Sequence, residues 1–226
     1  MPVADRSSIR RDALGIGAYA GAFGASFGAV SIAAGLTLPQ TALLSLVMFT
    51  GASQFALVGV IDGGGALVAA IAAALLLGVR NAFYGVSMSQ ILGVRGRRGA
   101  VAAHFVIDET TAMAIARDDR AAQRYAFWAT GVALYVCWNA GTLLGALGGS
   151  AVGDPESLGL DAAIPAAFLA LLWPRLRDRT GRTVALGGAL VATVLIPLAP
   201  AGVPVLAAAA VAVAAGLRPH SREEAS

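Results

Sequence analysis

For forty-nine consecutive residues, from Ala13 to Ile61, no side chain carries a formal charge. The same holds from Tyr125 to Gly153 and from Thr183 to Leu217. A helix crossing the roughly 30 Å hydrocarbon core of a bilayer needs about 20 mostly apolar residues. The three blocks are long enough for two, one and two passages. Only 13% of the 226 residues are charged, against about 25% in soluble domains, so a soluble fold would lack polar side chains to cover itself. A membrane β-barrel would alternate apolar and polar residues over about ten positions, and that pattern is missing. The expected fold class is all-α: a polytopic membrane helix bundle of about seven to eight hydrophobic segments, some broken or re-entrant.

Turn signals and charges divide the chain into eight segments: Leu14–Leu36, Thr41–Ile61, Ala66–Leu92, Ala100–Ala116, Tyr125–Gly148, Ala162–Trp173, Thr183–Pro197 and Val205–Leu217. Residues 1–13 form a cytoplasmic N-terminal segment, 14–217 a single transmembrane domain, and 218–226 a polar cytoplasmic tail. The basic start before the first apolar run resembles a signal peptide. The run continues past a typical signal core without a clear cleavage site, so it reads as the first membrane helix.

All sixteen basic residues are arginine, and most sit between segments, as in cytoplasmic loops. Their placement argues for a membrane surface and against nucleic acid. Clusters at 6–11, 95–98, 117–124, 175–182 and 218–222 should face the cytoplasm, as should both termini. The arginine-free loops 37–40, 149–161 and 199–204 should face outward. On this reading the first two segments cross out and back. The stretch 61–95 then begins and ends inside, as two limbs bent at Arg80–Asn81, because an unbroken helix would strand Arg80 in the bilayer; the alternative is an Arg80 at the interface whose side chain snorkels to water. Segment four also starts and ends inside, so it dips in or breaks partway.

Ionisable residues in membrane segments usually face a cavity or a partner. Arg80 and Asn81 interrupt GVRNAFYG. Asp108 and Glu109 lie in HFVIDETTAMAIA, where His104 and Asp108 would share one helix face and exchange protons near neutral pH. An interfacial helix with solvated acids explains the same stretch. Gln54 in MFTGASQFALVG, and Asn139 similarly, suit either a ligand or a hydrogen bond across a packing seam. Gly17, Gly21, Gly24 and Gly28 make a smooth stripe that favours tight helix contact. Cys137 reads as an apolar filler. No Walker loop, HExxH, GxSxG or Cys/His cluster is present. The chain is therefore not expected to be an enzyme, and no cofactor is implied.

Four stretches resemble one family in order and spacing. FTGASQFA, VRNAFYGVSMS, IDETTAMA and GDPESLGLDAAIPAAFLALLWPRLRDR are similar to the signature segments of AzlC-type branched-chain amino acid exporters, and the likeness runs over residues 14–217. The resemblance implies the large subunit of a two-component exporter of leucine, isoleucine, valine and sometimes methionine. It would lie in the bacterial inner membrane, driven by the proton motive force, with a small AzlD-type membrane subunit as partner. A small hydrophobic amino acid needs a cationic anchor, a polar or anionic anchor, and an apolar pocket. Arg80 would take the carboxylate; Gln54, Asn81 and Tyr84 would make polar contacts; Phe49 and Phe55 would line the pocket. Asp108, with Glu109, would carry the proton. A permease-like subunit of an ATP-driven complex, a non-transporting scaffold and a channel are the competing readings.

Overall fold

The computed structural model describes residues 3–151, 169, 172–200 and 202–216. The acidic loop 149–161, most of segment six and the tail 218–226 lie outside or largely outside the described residues. Among those residues the structure is helical, with no strand: α1 (Val3–Ala33), α2 (Leu38–Val47), α3 (Ala52–Asp62), α4 (Leu67–Leu92), α5 (Gly96–His104), α6 (Asp108–Ile115), α7 (Arg120–Ala151), a 3-10 turn (Trp173–Arg177), α8 (Arg179–Leu195) and α9 (Val203–Gly216). Among the described residues three helices are long and apolar enough to cross a membrane, at Asp5–Ala33, Leu67–Leu92 and Arg120–Gly149.

The longest two, α1 and α7, run parallel in close contact. Ile9 lies beside Ala122 and Ala126, Gly17 opposite Ala133, Gly21 opposite Cys137, and Gly28 opposite Thr142 and Ala146. The glycine stripe of α1 is thus a helix seam. A second stripe on α7, unnoticed in the sequence, answers it. A Cβ on Gly141 would overlap the carbonyl oxygen of Gly21, and one on Gly145 that of Ala25. Small residues let helix backbones meet this closely where lipid gives no hydrophobic drive to association.

The segments between these two helices follow a different path from the one the arginine pattern suggested. Helix α2 starts at a capping box: Thr37 Oγ1 accepts from Gln40 N–H, and Gln40 Oε1 accepts from Thr37 N–H at 2.8 Å. It then runs against the direction of α7. Ser45 Oγ donates to Asn139 Oδ1 at 2.8 Å, Tyr135 Oη donates to the Leu46 carbonyl at 3.2 Å, and Phe49 meets Tyr135. At Met48–Gly51 the chain reverses. Helix α3 climbs back, with Phe55 against Phe27 and Trp138. Segment two is therefore a re-entrant hairpin, which corrects the expectation that it crosses.

Helix α4 then makes the crossing, antiparallel to α3 and α7. Val60 packs on Ala70 near its start, and Arg124 Nε donates to the Ile91 carbonyl at 2.9 Å near its end. Its 26 residues are one unbroken helix through Arg80 and Asn81, so the expected bend there is absent. The physical reason lies across the interface: Arg80 is neutralised where it stands by a carboxylate from α6, and its backbone needs no break.

Segment four does break, as expected. Helix α5 rises from the level of Phe127 to place Phe105 and His104 against Tyr135. Helix α6 returns, ending where Arg117 pairs with Asp12 at 3.1 Å. Two hairpins thus enter from opposite ends and meet near Tyr135, halfway along α7. Arginine-bearing turns gather at one end of the bundle. The arginine-free turns 34–37 and 62–66 lie at the other, where Gly202 approaches Val60 and Ala69. Helices α8 and α9 pack together antiparallel, Gly187 on Val211 and Gly188 on Ala208.

Because Gly141 and Gly145 leave no room for a side chain, Gly145→Val is expected to destabilise the bundle by at least the roughly 1–3 kcal/mol typical of overpacking. Gly148→Ala, which meets nothing within 4 Å, should be neutral. Thermal unfolding of the two purified variants in detergent checks this.

Candidate functional site

Each hairpin tip is held by a side chain one turn into its second helix. In the first, Gly51 adopts a φ of 61°, a conformation that suits a residue without Cβ. Gln54 is fully buried and clamps both limbs: its Oε1 accepts from Gly51 N–H at 3.0 Å, and its Nε2 donates to the Leu44 carbonyl at 3.3 Å. In the second, the buried Thr110 accepts from Ile107 N–H at 3.1 Å and donates to the Phe105 carbonyl at 2.6 Å. Non-helical backbone is tolerated at membrane depth only where protein or water satisfies it, and these two side chains supply that satisfaction.

Between the tips, α1, α4 and α7 enclose a cavity of about 90 Å³. A site of this size holds several water-sized groups and is well below the roughly 300–1,000 Å³ of drug-sized pockets. Its walls are apolar: Ile16, Phe23, Phe49, Phe55 and Leu134. Its charged groups are Arg80, Asp108 and Glu109. Arg80 Nη1 donates to Asp108 Oδ2 at 2.8 Å, with both side chains about one-third exposed. Arg80 Nε, Asp108 Oδ1 and Trp138 Nε1 are buried without a hydrogen-bond partner. Orphaned atoms of this kind are uncommon, and here three of them belong to residues lining one cavity.

The arrangement has two poles. Arg80 Nε–H, Trp138 Nε1–H and the N-terminus of α3 attract an anion. The first turn of α3 carries no acidic residue, so its dipole is uncompensated. Asp108 Oδ1 and Glu109 attract a cation. They also occupy the first turn of α6, where the helix dipole favours carboxylates.

Of the side chains singled out in the sequence, Arg80, Phe49, Phe55, Asp108 and Glu109 all line this cavity. Gln54 does not; both ends of its amide are spent on backbone. Tyr84 packs beside Met88 and Leu92. Asn81 faces a second cavity with Ser53, Gly78 and His104, which is larger, more open and without a lining Arg, Asp or Glu. His104 and Asp108 do not share a helix face, because α5 ends at one and α6 begins at the other. Asn139 bridges α2 and α7, accepting from Ser45 and donating to the Tyr135 carbonyl. Trp138 escaped notice. It stands between Cys137 and Asn139, and its signal is an indole N–H inside an uncharged block.

The AzlC protein family model matches residues 15–152 of the chain, more than half its length. The chain belongs to the AzlC family. This AzlC-family chain is also 32% identical over 171 residues to an uncharacterized membrane protein of Archaeoglobus fulgidus, covering 73% of each. It is 29% identical over 186 residues to the inner membrane protein YgaZ of Escherichia coli K12, covering 77% of this chain and 76% of that one. No solved structure matches. The region matched by the AzlC model contains both hairpins, α4 and all of α7, and it includes every residue that lines the charged cavity.

If Gln54 is the clamp of the first tip, Gln54→Leu strands the Gly51 N–H at a cost of roughly 1–3 kcal/mol, while the Leu44 carbonyl keeps its bond from Met48 N–H. Thr110→Val should act in the same direction at the second tip. A melting temperature unchanged by either substitution contradicts these roles.

Proposed function

We propose that this protein is a secondary transporter subunit that exports small hydrophobic amino acids, such as leucine, isoleucine and valine, across the bacterial inner membrane. The observation that carries the reading is the two-pole cavity at the meeting of two broken helices. A zwitterion presents a carboxylate and an ammonium a short distance apart, with an aliphatic side chain beyond. The carboxylate fits Arg80 Nε–H and Trp138 Nε1–H. The ammonium fits Asp108 and Glu109, and the side chain fits the wall of Phe49, Phe55 and Leu134. Transporters commonly place such sites near the midplane, at half-helix ends. Family membership supports transport in general, and the choice of branched-chain substrates rests on this cavity and on the motif resemblance.

Protons enter the cycle through the same acids. A proton on Asp108 or Glu109 removes a partner from the substrate's ammonium, so proton and substrate compete. Competition for one site is what lets an inward proton gradient drive outward flux. The arginine-rich end of the bundle faces the cytoplasm on this reading, which places both termini inside. A small AzlD-type membrane subunit is the proposed partner.

Leucine efflux from preloaded proteoliposomes, with the partner subunit present, tests the proposal. Wild-type efflux should respond to an imposed pH gradient and lose that response with an uncoupler. Arg80→Ala removes a charge-assisted hydrogen bond, worth about 1.5–3 kcal/mol, and should slow efflux at least tenfold. Trp138→Phe removes a neutral one and should slow it several-fold. Wild-type rates in Arg80→Ala, or efflux indifferent to the gradient, would overturn the proposal.

A further inference from the structure

The ends of the four half-helices sort between the two cavities. The charged cavity is lined where two of them start, by Gly51 and Ala52 at α3 and by Ile107 and Asp108 at α6. The second cavity is lined where the other two finish, by Val47 and Met48 at α2 and by Ala103 and His104 at α5. A helix carries roughly half a positive charge at its start and half a negative charge at its end. Two ends facing one space therefore contribute about one negative charge there. No Arg, Asp or Glu lines that space to offset or add to it. His104 is the one titratable lining group from any of the packed elements, and a neutral imidazole leaves the sum unchanged.

Oxygen atoms without partners face the same space. Ser53, only 1% exposed, and Asn81 both line the second cavity, and Ser53 Oγ and Asn81 Oδ1 are buried with no hydrogen-bond partner. A Cβ at Gly78 would stand 3.6 Å from Ser53 Oγ, so this hydroxyl lies against the face of α4 that Gly78 shares with Asn81 three positions later. Thr50 Oγ1, at the unwound tip, donates to the Met48 carbonyl at 3.4 Å, and its lone pairs remain for a cation. Calcium sites recruit carboxylates. A set of neutral oxygens with one unit of dipole charge suits a monovalent ion instead. Transporters hold sodium in this way, between unwound backbone and the C-terminal ends of half-helices. The cavity, about 460 Å³, leaves space for waters to complete the shell.

We propose that the second cavity binds one alkali-metal cation, with Ser53 Oγ, Thr50 Oγ1 and Asn81 Oδ1 among its ligands. The ion ties the first hairpin tip to α4. Phe49 and Thr50 line both cavities, so an ion that holds this tip also fixes one wall of the charged cavity. The site does not depend on which guest the charged cavity takes.

Purified protein in detergent, exchanged into choline chloride at pH 8, tests the site. Sodium or potassium chloride replaces choline at constant ionic strength, while melting temperature and the binding of radioactive sodium are measured. The melting temperature should rise by about 2 °C or more and level off as sodium increases. Ser53→Ala should weaken sodium binding about fivefold, the loss of one ordinary polar contact. In choline the same variant should melt no lower than wild type, because it removes a buried hydroxyl that has no partner. Asn81→Asp puts a charged oxygen in place of a neutral one and should tighten sodium binding. Potassium acting as well as sodium assigns the site to alkali cations in general, and a weaker potassium response assigns it to sodium. Melting indifferent to the replacement of choline, with no sodium bound, overturns the proposal. So does a sodium response that neither Ser53→Ala nor Asn81→Asp alters.

Discussion

An arginine halfway along a crossing helix has to be neutralised at that depth, and the ion pair between Arg80 and Asp108 does so. It is the fourteenth of the 26 residues of α4, too far from either end to reach water along its own helix. The carboxylate comes from the first residue of α6. A helix can begin at mid-depth only if another has ended there, so the break between α5 and α6 and the charge on α4 are two sides of one requirement. The first hairpin reaches the same level from the opposite end, with Phe49 against Phe105 and His104. The parallel pair α1 and α7, joined through glycines, forms the wall behind both tips.

The two breaks are built alike although their sequences differ. In each, the residue before the second helix has no polar side chain of its own, Gly51 in one and Ile107 in the other. In each, a side chain three positions later reaches back to its N–H group. Gln54 and Thr110 thus hold the tips, while the charged residues are left free to face the cavity. The division matters for function. Polar residues fully consumed by backbone keep the tips in place, while Arg80, Asp108 and Trp138, which line the cavity, each keep a buried polar atom without a partner.

Much of this was legible from residue types alone. The uncharged blocks required membrane helices, and the arginine clusters on both sides of segment four required a stretch that does not simply cross. The stripe Gly17, Gly21, Gly24 and Gly28 pointed to a helix seam. The path of the chain was less legible, for a physical reason. A charge at mid-depth is met either by ending the helix or by a partner from elsewhere, and Arg80 lies 28 residues from the carboxylate that answers it. A break at Arg80 moves the crossing from α4 to segment two, and the arginine pattern alone favours it. Gly51 was hidden among the small residues of FTGAS, where a packing seam explains it equally well. Trp138 was passed over because an indole N–H counts as apolar until its surroundings are known.

In this fold segment two turns back and α4 crosses. Cysteine labelling with a membrane-impermeant maleimide tests it most directly, applied to either face of sealed vesicles after Cys137 is replaced by alanine. Single cysteines would be placed at Ala33, Asp62, Arg97 and Asp118, all exposed at the ends of helices or in turns. The structure requires Ala33 and Asp62 to react from one face, and Arg97 and Asp118 from the other. Labelling of Asp62 from the same face as Arg97 would mean that segment two crosses the membrane and that α4 does not.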